Sequence, residues 1–230
     1  YNRNILNKHN GLEVDKVFDI QLPSHTVISD ASAFFIRALG GLRLKCFIGK
    51  DQLLPWKVYF DGYWQNKEYF KNNVDKMRFR EGFLNKKNDY ILSLIRNTNS
   101  VSVHVRRGDY CDSCRKDLFL QSCTPQYYES AISVMKENFQ APVFFVFSDD
   151  IPWVKVNLNI PNAYYIDWNK KENSYLDMYL MSLCTASIIA NSTFSFWGAM
   201  LGNKKELVIK PKKWIGDEIP EIFPTSWLSL

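Results

Sequence analysis

The sequence predicts an α/β fold whose second half is a doubly wound parallel sheet, and three observations predict it. From residue 101 onward, short and almost continuously apolar runs alternate with helical patterns, as strands buried on both faces and joined by crossover helices require. The 230-residue length and 46% hydrophobic content suffice for one large α/β domain or two small ones with a real core. The densest polar clusters follow directly on apolar runs, where open α/β sheets bind their ligands.

Residues 1–97 are the less regular part. Ser29-Asp30 precedes a helical run from Ala31 to Leu39, Gly40-Gly41 interrupts it, and Leu42 to Ile48 reads as a strand. An aromatic stretch from Val58 to Phe70 follows, in which Trp64 serves equally well as core or as a platform for sugars. Asp89 to Arg96 forms a helix, and the polar tetrad Asn97-Thr-Asn-Ser100 marks a boundary between domains 1–97 and 98–230.

The second half is regular. Val101 to Arg106 is its first strand, and Thr124-Pro125 opens a helix running to Phe139, with Thr as cap and Pro in the first turn. Pro142 to Phe147 is the second strand, followed by a short helix from Ile151 to Leu158. Tyr164 to Trp168 is the third strand, and Ser174 caps a helix with apolar Leu176, Met178, Tyr179, Leu180, Leu183 and Cys184. Ala186 to Ala190 is the fourth strand, Phe194 to Gly202 a helix, and Glu206 to Lys210 the fifth strand.

Charge and composition narrow the function classes. The formal net charge is +5, with Lys and Arg scattered along the chain, which suits small anionic partners and argues against nucleic acid. No run approaches twenty apolar residues, Tyr1-Asn-Arg-Asn is not a secretory signal, and the missing initiator Met predicts a fragment of a longer product. Cys46, Cys111, Cys114, Cys123 and Cys184 make an odd count, so reduced thiols are expected. Cys111-x-x-Cys114 with Cys123 offers three zinc-type ligands without a fourth; a variable loop is the expectation there, with no metal.

Three polar clusters follow strands: His104 to Asp109, Ser148-Asp149-Asp150, and Asn191-Ser-Thr-Phe-Ser195. Arg106 and Arg107, with Gly108 allowing close backbone approach, make a receptor for a diphosphate. The carboxylates suit a base or sugar edge, and the hydroxyls at a helix start suit phosphate oxygens. Each cluster also has a plainer reading. Adjacent arginines after a strand face opposite ways, so at least one needs a buried acidic partner. Asp149-Asp150 can cap the next helix, and His104 can make a structural hydrogen bond. Arg107-Gly-Asp109 matches an adhesion tripeptide by chance, and the Asn191-Ser-Thr sequon lies inside a core motif.

Taken jointly, His104-Val-Arg-Arg-Gly-Asp-Tyr110, Phe147-Ser-Asp-Asp150 and Asn191-Ser-Thr-Phe-Ser-Phe-Trp-Gly-Ala199 resemble the motifs of bacterial α-1,2-fucosyltransferases of glycosyltransferase family 11. Gly62-Tyr-Trp-Gln65 and Asn10-Gly-Leu-Glu-Val-Asp-Lys16 extend the resemblance over nearly the whole chain. The opening strand and Gly-Gly-x-Gly-Asn-Gln turn of these enzymes are missing, so the chain is expected to start after them. The resemblance implies a GT-B arrangement: two Rossmann-like halves with parallel sheets facing a cleft, the N-terminal half incomplete here. It implies transfer of fucose from GDP-β-L-fucose, with inversion, to the 2-hydroxyl of a galactoside.

Within that resemblance, Arg106 steadies the departing GDP and Arg107 assists it or braces the loop. His104 and Asp150 help hold the nucleotide, Asp150 by accepting from guanine nitrogens. Asn191, Ser192, Thr193, Phe194 and Ser195 form the rest of the donor site, the hydroxyls donating to phosphate. Asp109, three residues beyond Arg106, is the candidate base. The sequence has no Asp-x-Asp, so protein cations are expected to replace a metal at the pyrophosphate, and no cofactor beyond the donor is expected. The implied partners are GDP-fucose and a galactose-terminated oligosaccharide or lipid-linked glycan, in the cytoplasm, with peripheral association at the inner membrane. Two other readings stay open: a non-catalytic sugar-nucleotide or glycan-binding module of the same fold, and an α-1,6-type fucosyltransferase, against which the Ser-Phe-Trp-Gly ending speaks.

Overall fold

The computed structural model describes residues 17–20, 31, 35, 48–50, 59–61, 65–80, 85–112, 116–202 and 205–230. The chain divides into two compact units, Tyr1–Arg80 and Glu81–Leu230. In the first unit, strands β1 (Ile48–Lys50) and β2 (Tyr59–Asp61) pair in parallel, with Ile48 opposite Tyr59. Asn66 caps the short 3-10 turn Lys67–Tyr69 by accepting from the Glu68 amide at 2.9 Å. Phe18 and Phe79 form an antiparallel bridge with their rings 4.9 Å apart. Of the expected helix from Ala31 to Leu39, Ala31 and Phe35 are described and both are helical. Most of the strand expected from Leu42, the segment Asn10 to Lys16, Gly62-Tyr-Trp64, Cys46 and Cys114 lie outside the described residues.

The second unit is the alternating α/β structure. It runs α1 (Lys86–Arg96), β3 (Ser100–Val105), α2 (Gly108–Asp112), α3 (Lys116–Leu120), α4 (Pro125–Asn138), β4 (Val143–Ser148), α5 (Ile151–Asn157), β5 (Ala163–Ile166), α6 (Tyr175–Leu183), β6 (Ala186–Ile188), α7 (Thr193–Met200), β7 (Leu207–Lys210) and β8 (Leu228–Ser229). The six strands form one sheet in the order β5-β4-β3-β6-β7-β8, every neighbour parallel. Counted from β3, that is the Rossmann order, and its direction of growth reverses between β3 and β6.

Strand alternation builds a core on each face. Val101, Val103, Val105, Phe144 and Val146 pack with Tyr128, Ala131, Ile132 and Met135 of α4 and Ile151 and Val154 of α5. Phe145, Phe147 and Ile166 pack on the opposite face with Ile91, Leu92 and Ile95 of α1 and Leu180 and Met181 of α6. Helices on both faces account for strands that are apolar at nearly every position. Two of the polar exceptions on β3, Ser100 and Ser102, are buried but paired: Ser102 Oγ donates to Ser187 Oγ at 2.8 Å, and Ser100 Oγ accepts from the Thr185 amide at 3.1 Å.

Several details differ from the sequence reading. The compact division falls at Arg80, ahead of the tetrad Asn97–Ser100, because α1 buries Ile91, Leu92 and Ile95 in the second unit's core. The stretch after β3 that reads as loop contains the short helices α2 and α3. Thr124 caps α4 by accepting from the Tyr127 amide, as expected. Ser174 does not cap α6 with its side chain; a 3-10 turn at Lys171–Asn173 feeds the helix, its Lys171 carbonyl accepting from the Ser174 amide at 3.0 Å. The two-residue edge strand β8 carries no periodic signal of its own.

Candidate active site

The carboxyl ends of β3 and β6 flank the reversal in strand order, and tyrosine hydroxyls tie down the carbonyls there. Tyr128 Oη donates to the His104 carbonyl at 3.0 Å, Tyr127 Oη to that of Ile189 at 2.7 Å, and Tyr110 Oη to that of Asn191 at 2.8 Å. Burial raises all three phenols, Tyr110 to about 12, so each stays a protonated donor at neutral pH.

Beyond Val105 the chain turns through Arg106-Arg107-Gly108-Asp109, and one carboxylate at the end of β4 organises that turn. Asp149 Oδ1 accepts from the Arg107 amide at 2.9 Å, and its Oδ2 accepts from the Gly108 amide at 3.0 Å. The same Oδ2 pairs with Arg106 Nη1 at 2.8 Å. A Cβ at residue 108 would sit 2.7 Å from Asp149 Oδ2, so only glycine permits this approach.

The two guanidiniums are held separately. Arg106 Nη2 pairs with Asp109 Oδ1 at 2.7 Å, and its side chain remains 31% exposed. Each Nη uses one of its two hydrogens on a carboxylate, leaving donors for an incoming anion. Arg107 Nε pairs with Asp150 Oδ2 at 3.3 Å, while its guanidinium lies 3.8 Å over the Trp153 ring. Asp150 Oδ1 also accepts from the Trp153 amide at 3.1 Å and so caps α5. Asp150 is therefore both helix cap and charge partner, and each of the adjacent arginines has a partly exposed carboxylate beside it.

His104 is buried against the Phe194 ring, 5.6 Å between centroids, and its Nδ1 has no hydrogen-bond partner. Burial, aided by the Arg106 charge, pushes its pKa down to about 3; the imidazole is neutral. Asn191 is equally enclosed, donating from Nδ2 to the carbonyls of Phe119 at 2.9 Å and Trp214 at 2.7 Å, while its Oδ1 has no partner. Such enclosure closes the sequon to modification. The Asn191 amide donates to Cys123 Sγ at 3.3 Å, and burial pushes that thiol up to about 12. Cys123 is thus protonated at neutral pH and accepts the Asn191 amide as a thiol.

Ser192 caps α7 by accepting from the Phe194 amide at 3.3 Å. Ser195 Oγ lies within reach of the Ser192 carbonyl at 3.1 Å and that of Ala190 at 3.3 Å, so both hydroxyls serve the helix start. Thr193 is exposed at the same helix amino terminus. A further polar group closes the end of β5. Trp168 Nε1 and Asn169 Nδ2 donate to Asn88 Oδ1, and Asn169 Nδ2 also reaches Asp177 Oδ1 at 2.8 Å. Burial pushes Asp177 up to about 7.

The structure joins the three sequence clusters into one group: Arg106 links Asp109 to Asp149, Arg107 reaches Asp150, His104 touches Phe194, and Tyr110 is tied to Asn191. Sequence reasoning missed the organising part of Asp149, the three tyrosines, Trp153 and Trp214. The pair Tyr127-Tyr128 just inside a capped helix was the available signal, because a buried phenol needs an acceptor. Among the described residues, no three His, Cys, Asp or Glu side chains could hold a metal ion, and no helix is long and apolar enough to cross a membrane.

A Rossmann-ordered sheet with a partly exposed guanidinium and a helix amino terminus at its switch point is the arrangement in which α/β folds take anionic ligands. The family can be stated: the model for "Glycosyl transferase family 11" matches residues 37–230, and the chain belongs to that family. It is 40% identical over 184 residues to an Escherichia coli alpha-1,2-colitosyltransferase, covering 75% of this chain and 62% of that protein. It is 37% identical over 159 residues to the E. coli O-antigen biosynthesis glycosyltransferase WbnK, covering 66% and 53%. Human galactoside alpha-(1,2)-fucosyltransferase 1 matches at 29% identity over 103 residues, 44% of this chain and 28% of that one. The chain thus spans between about half and three-fifths of the E. coli proteins it matches.

Proposed function

We propose that the protein transfers L-fucose from GDP-β-L-fucose to the 2-hydroxyl of a galactoside in a glycan, with inversion and without a metal ion. The observation that carries this reading is Arg106, a partly exposed guanidinium fixed by Asp149 at the switch point of the sheet. Family membership and the likeness to a galactoside α-1,2-fucosyltransferase support the donor and linkage. As the bond from fucose C1 to the β-phosphate breaks, negative charge grows on GDP. Arg106, the amino terminus of α7 and exposed Thr193 stand ready to offset it. Neutral His104 adds a hydrogen-bonding group without a further charge. Arg107, stacked on Trp153 and paired with Asp150, braces the turn. Asp109 accepts the acceptor's proton. The galactose-terminated acceptor is an oligosaccharide or lipid-linked glycan handled at the cytoplasmic face of the membrane.

The test is incubation of the full-length protein with GDP-fucose and a lactose-type acceptor. GDP release and a new α-1,2 linkage by NMR are expected, both abolished by Arg106→Ala. Binding of GDP-fucose without turnover would favour a non-catalytic module instead. A second reading has its own support: one relative at 40% identity is an α-1,2-colitosyltransferase, and colitose is fucose lacking the 3-hydroxyl. Competition between the two GDP-sugars for one acceptor separates these donors.

A further inference from the structure

Arg106 sits in a fork of two carboxylates that are unequally anchored. Asp149 accepts two backbone N–H bonds besides the ion pair, and its side chain is 25% exposed. Asp109 is 54% exposed, and among the described residues its carboxylate has no partner except Arg106 Nη2. A diphosphate arriving at the remaining hydrogens of Arg106 brings negative charge beside both carboxylates, and the repulsion dislodges whichever is held less firmly. It displaces the carboxylate held by a single exposed ion pair, worth about 0.2–1 kcal/mol, rather than the one clamped by the backbone.

Resting on the fucosyl-transfer reading above, we infer that Asp109 is a latch as well as a base: it occupies Arg106 in the empty enzyme, and the donor's pyrophosphate releases it. The exchange swaps one anion for another on the same nitrogen, so the guanidinium keeps its full set of charged partners. The freed carboxylate stays in the same turn, beside the donor, and is unpaired only once the donor is bound. In the chemical step the acceptor's 2-hydroxyl gives its proton to an Asp109 oxygen while the hydroxyl oxygen bonds to fucose C1. The bond from C1 to the phosphate oxygen breaks, and its electron pair leaves with GDP against Arg106. When GDP departs, Asp109 loses its proton to water and re-forms the pair. Donor must then bind before acceptor, and no active base is offered to an acceptor alone.

The latch makes a prediction that a simple base does not: removing it strengthens donor binding while weakening turnover. GDP binding is measured by calorimetry on the full-length protein, the Asp109→Asn variant and a control, Asp117→Asn, whose exposed residue lies on α3. Asp109→Asn is expected to bind GDP about 1.4- to 5-fold more tightly, the range set by an exposed ion pair. Its kcat is expected to fall by about 10²-fold or more, as loss of a general base requires. The control should leave the GDP Kd unchanged. Asp109→Ala replaces the asparagine variant if that one does not fold. Equal or weaker GDP binding by the Asp109 variant, an unchanged kcat, or equal tightening in the control would overturn the latch. Failure of the unsubstituted protein to bind GDP at all would instead overturn the donor assignment on which it rests.

Discussion

Replacing Asp149 by Asn isolates the clamp that aims Arg106. The carboxylate accepts from the Arg107 amide, the Gly108 amide and Arg106 Nη1 through its two oxygens, at 2.9, 3.0 and 2.8 Å. A carboxamide has one acceptor oxygen, so its NH2 must face at least one of these donors. Hydrogen bonds to a charged group are worth about 1.5–3 kcal/mol each, and part of this is recovered from water at a quarter-exposed site. The expected loss is about 2 kcal/mol of stability in urea unfolding followed by tryptophan fluorescence. Activity should suffer more, since a guanidinium displaced by about 1 Å from its working position lowers turnover about 10²-fold. The assay is kcat for GDP release with saturating donor and acceptor. A variant with kcat within about threefold of the parent would mean that Asp149 does not position Arg106, and the reasoning about the turn would be wrong.

Three further outcomes follow from buried groups. His104, held near a pKa of about 3 against 6.5 when unfolded, stabilises the fold fully above pH 6.5 and ever less as the pH falls toward 3. Its ring protons should show no titration by NMR between about pH 5 and 8; a midpoint near the ordinary histidine value would contradict its burial. Asp177, raised to about 7 from 3.8, has the opposite sign, its contribution being complete below the unfolded value and lost as pH rises through 7. The stability difference between the parent and Asp177→Asn should therefore move in favour of the variant across that window, and a flat difference would refute the shift. A Cβ at Gly202 would collide with the Ser182 carbonyl oxygen. Gly202→Ala should thus lose about 3 kcal/mol or more through backbone displacement, read as a lowered Tm or insoluble protein.

Strand identity was most legible in β3, β4, β6 and β7, which are buried on both faces, so that their apolar runs can be read without partners. The locations of the candidate residues were legible for the same reason, since polar clusters at strand ends mark the ligand edge of such a sheet. What joins to what was not. Asp149 and Asp150 are neighbours of one residue type, yet one clamps a turn on β3 and the other caps α5. Only the parallel register, which sets Val105 beside Ser148, decides between them. The hydroxyls of Ser192 and Ser195 read as phosphate donors, and their oxygens also bond at the start of their own helix, a local use that a sequence pattern does not reveal. The place of α1 with the second unit depends on Ile91, Leu92 and Ile95 sharing a core cluster with Phe147, Ile166, Leu180 and Met181, all more than fifty positions away. Local polarity at Asn97–Ser100 carries no trace of that contact.

The claim on which the rest depends is that Arg106 grips the donor's pyrophosphate at the switch point between β3 and β6. A crystal structure of the full-length protein with GDP tests it most directly. The expected result is a β-phosphate oxygen within hydrogen-bond distance of an Arg106 Nη, with Asp149 still on Nη1 and Asp109 released. A pyrophosphate bound elsewhere, with Arg106 still bridging both aspartates, would contradict it.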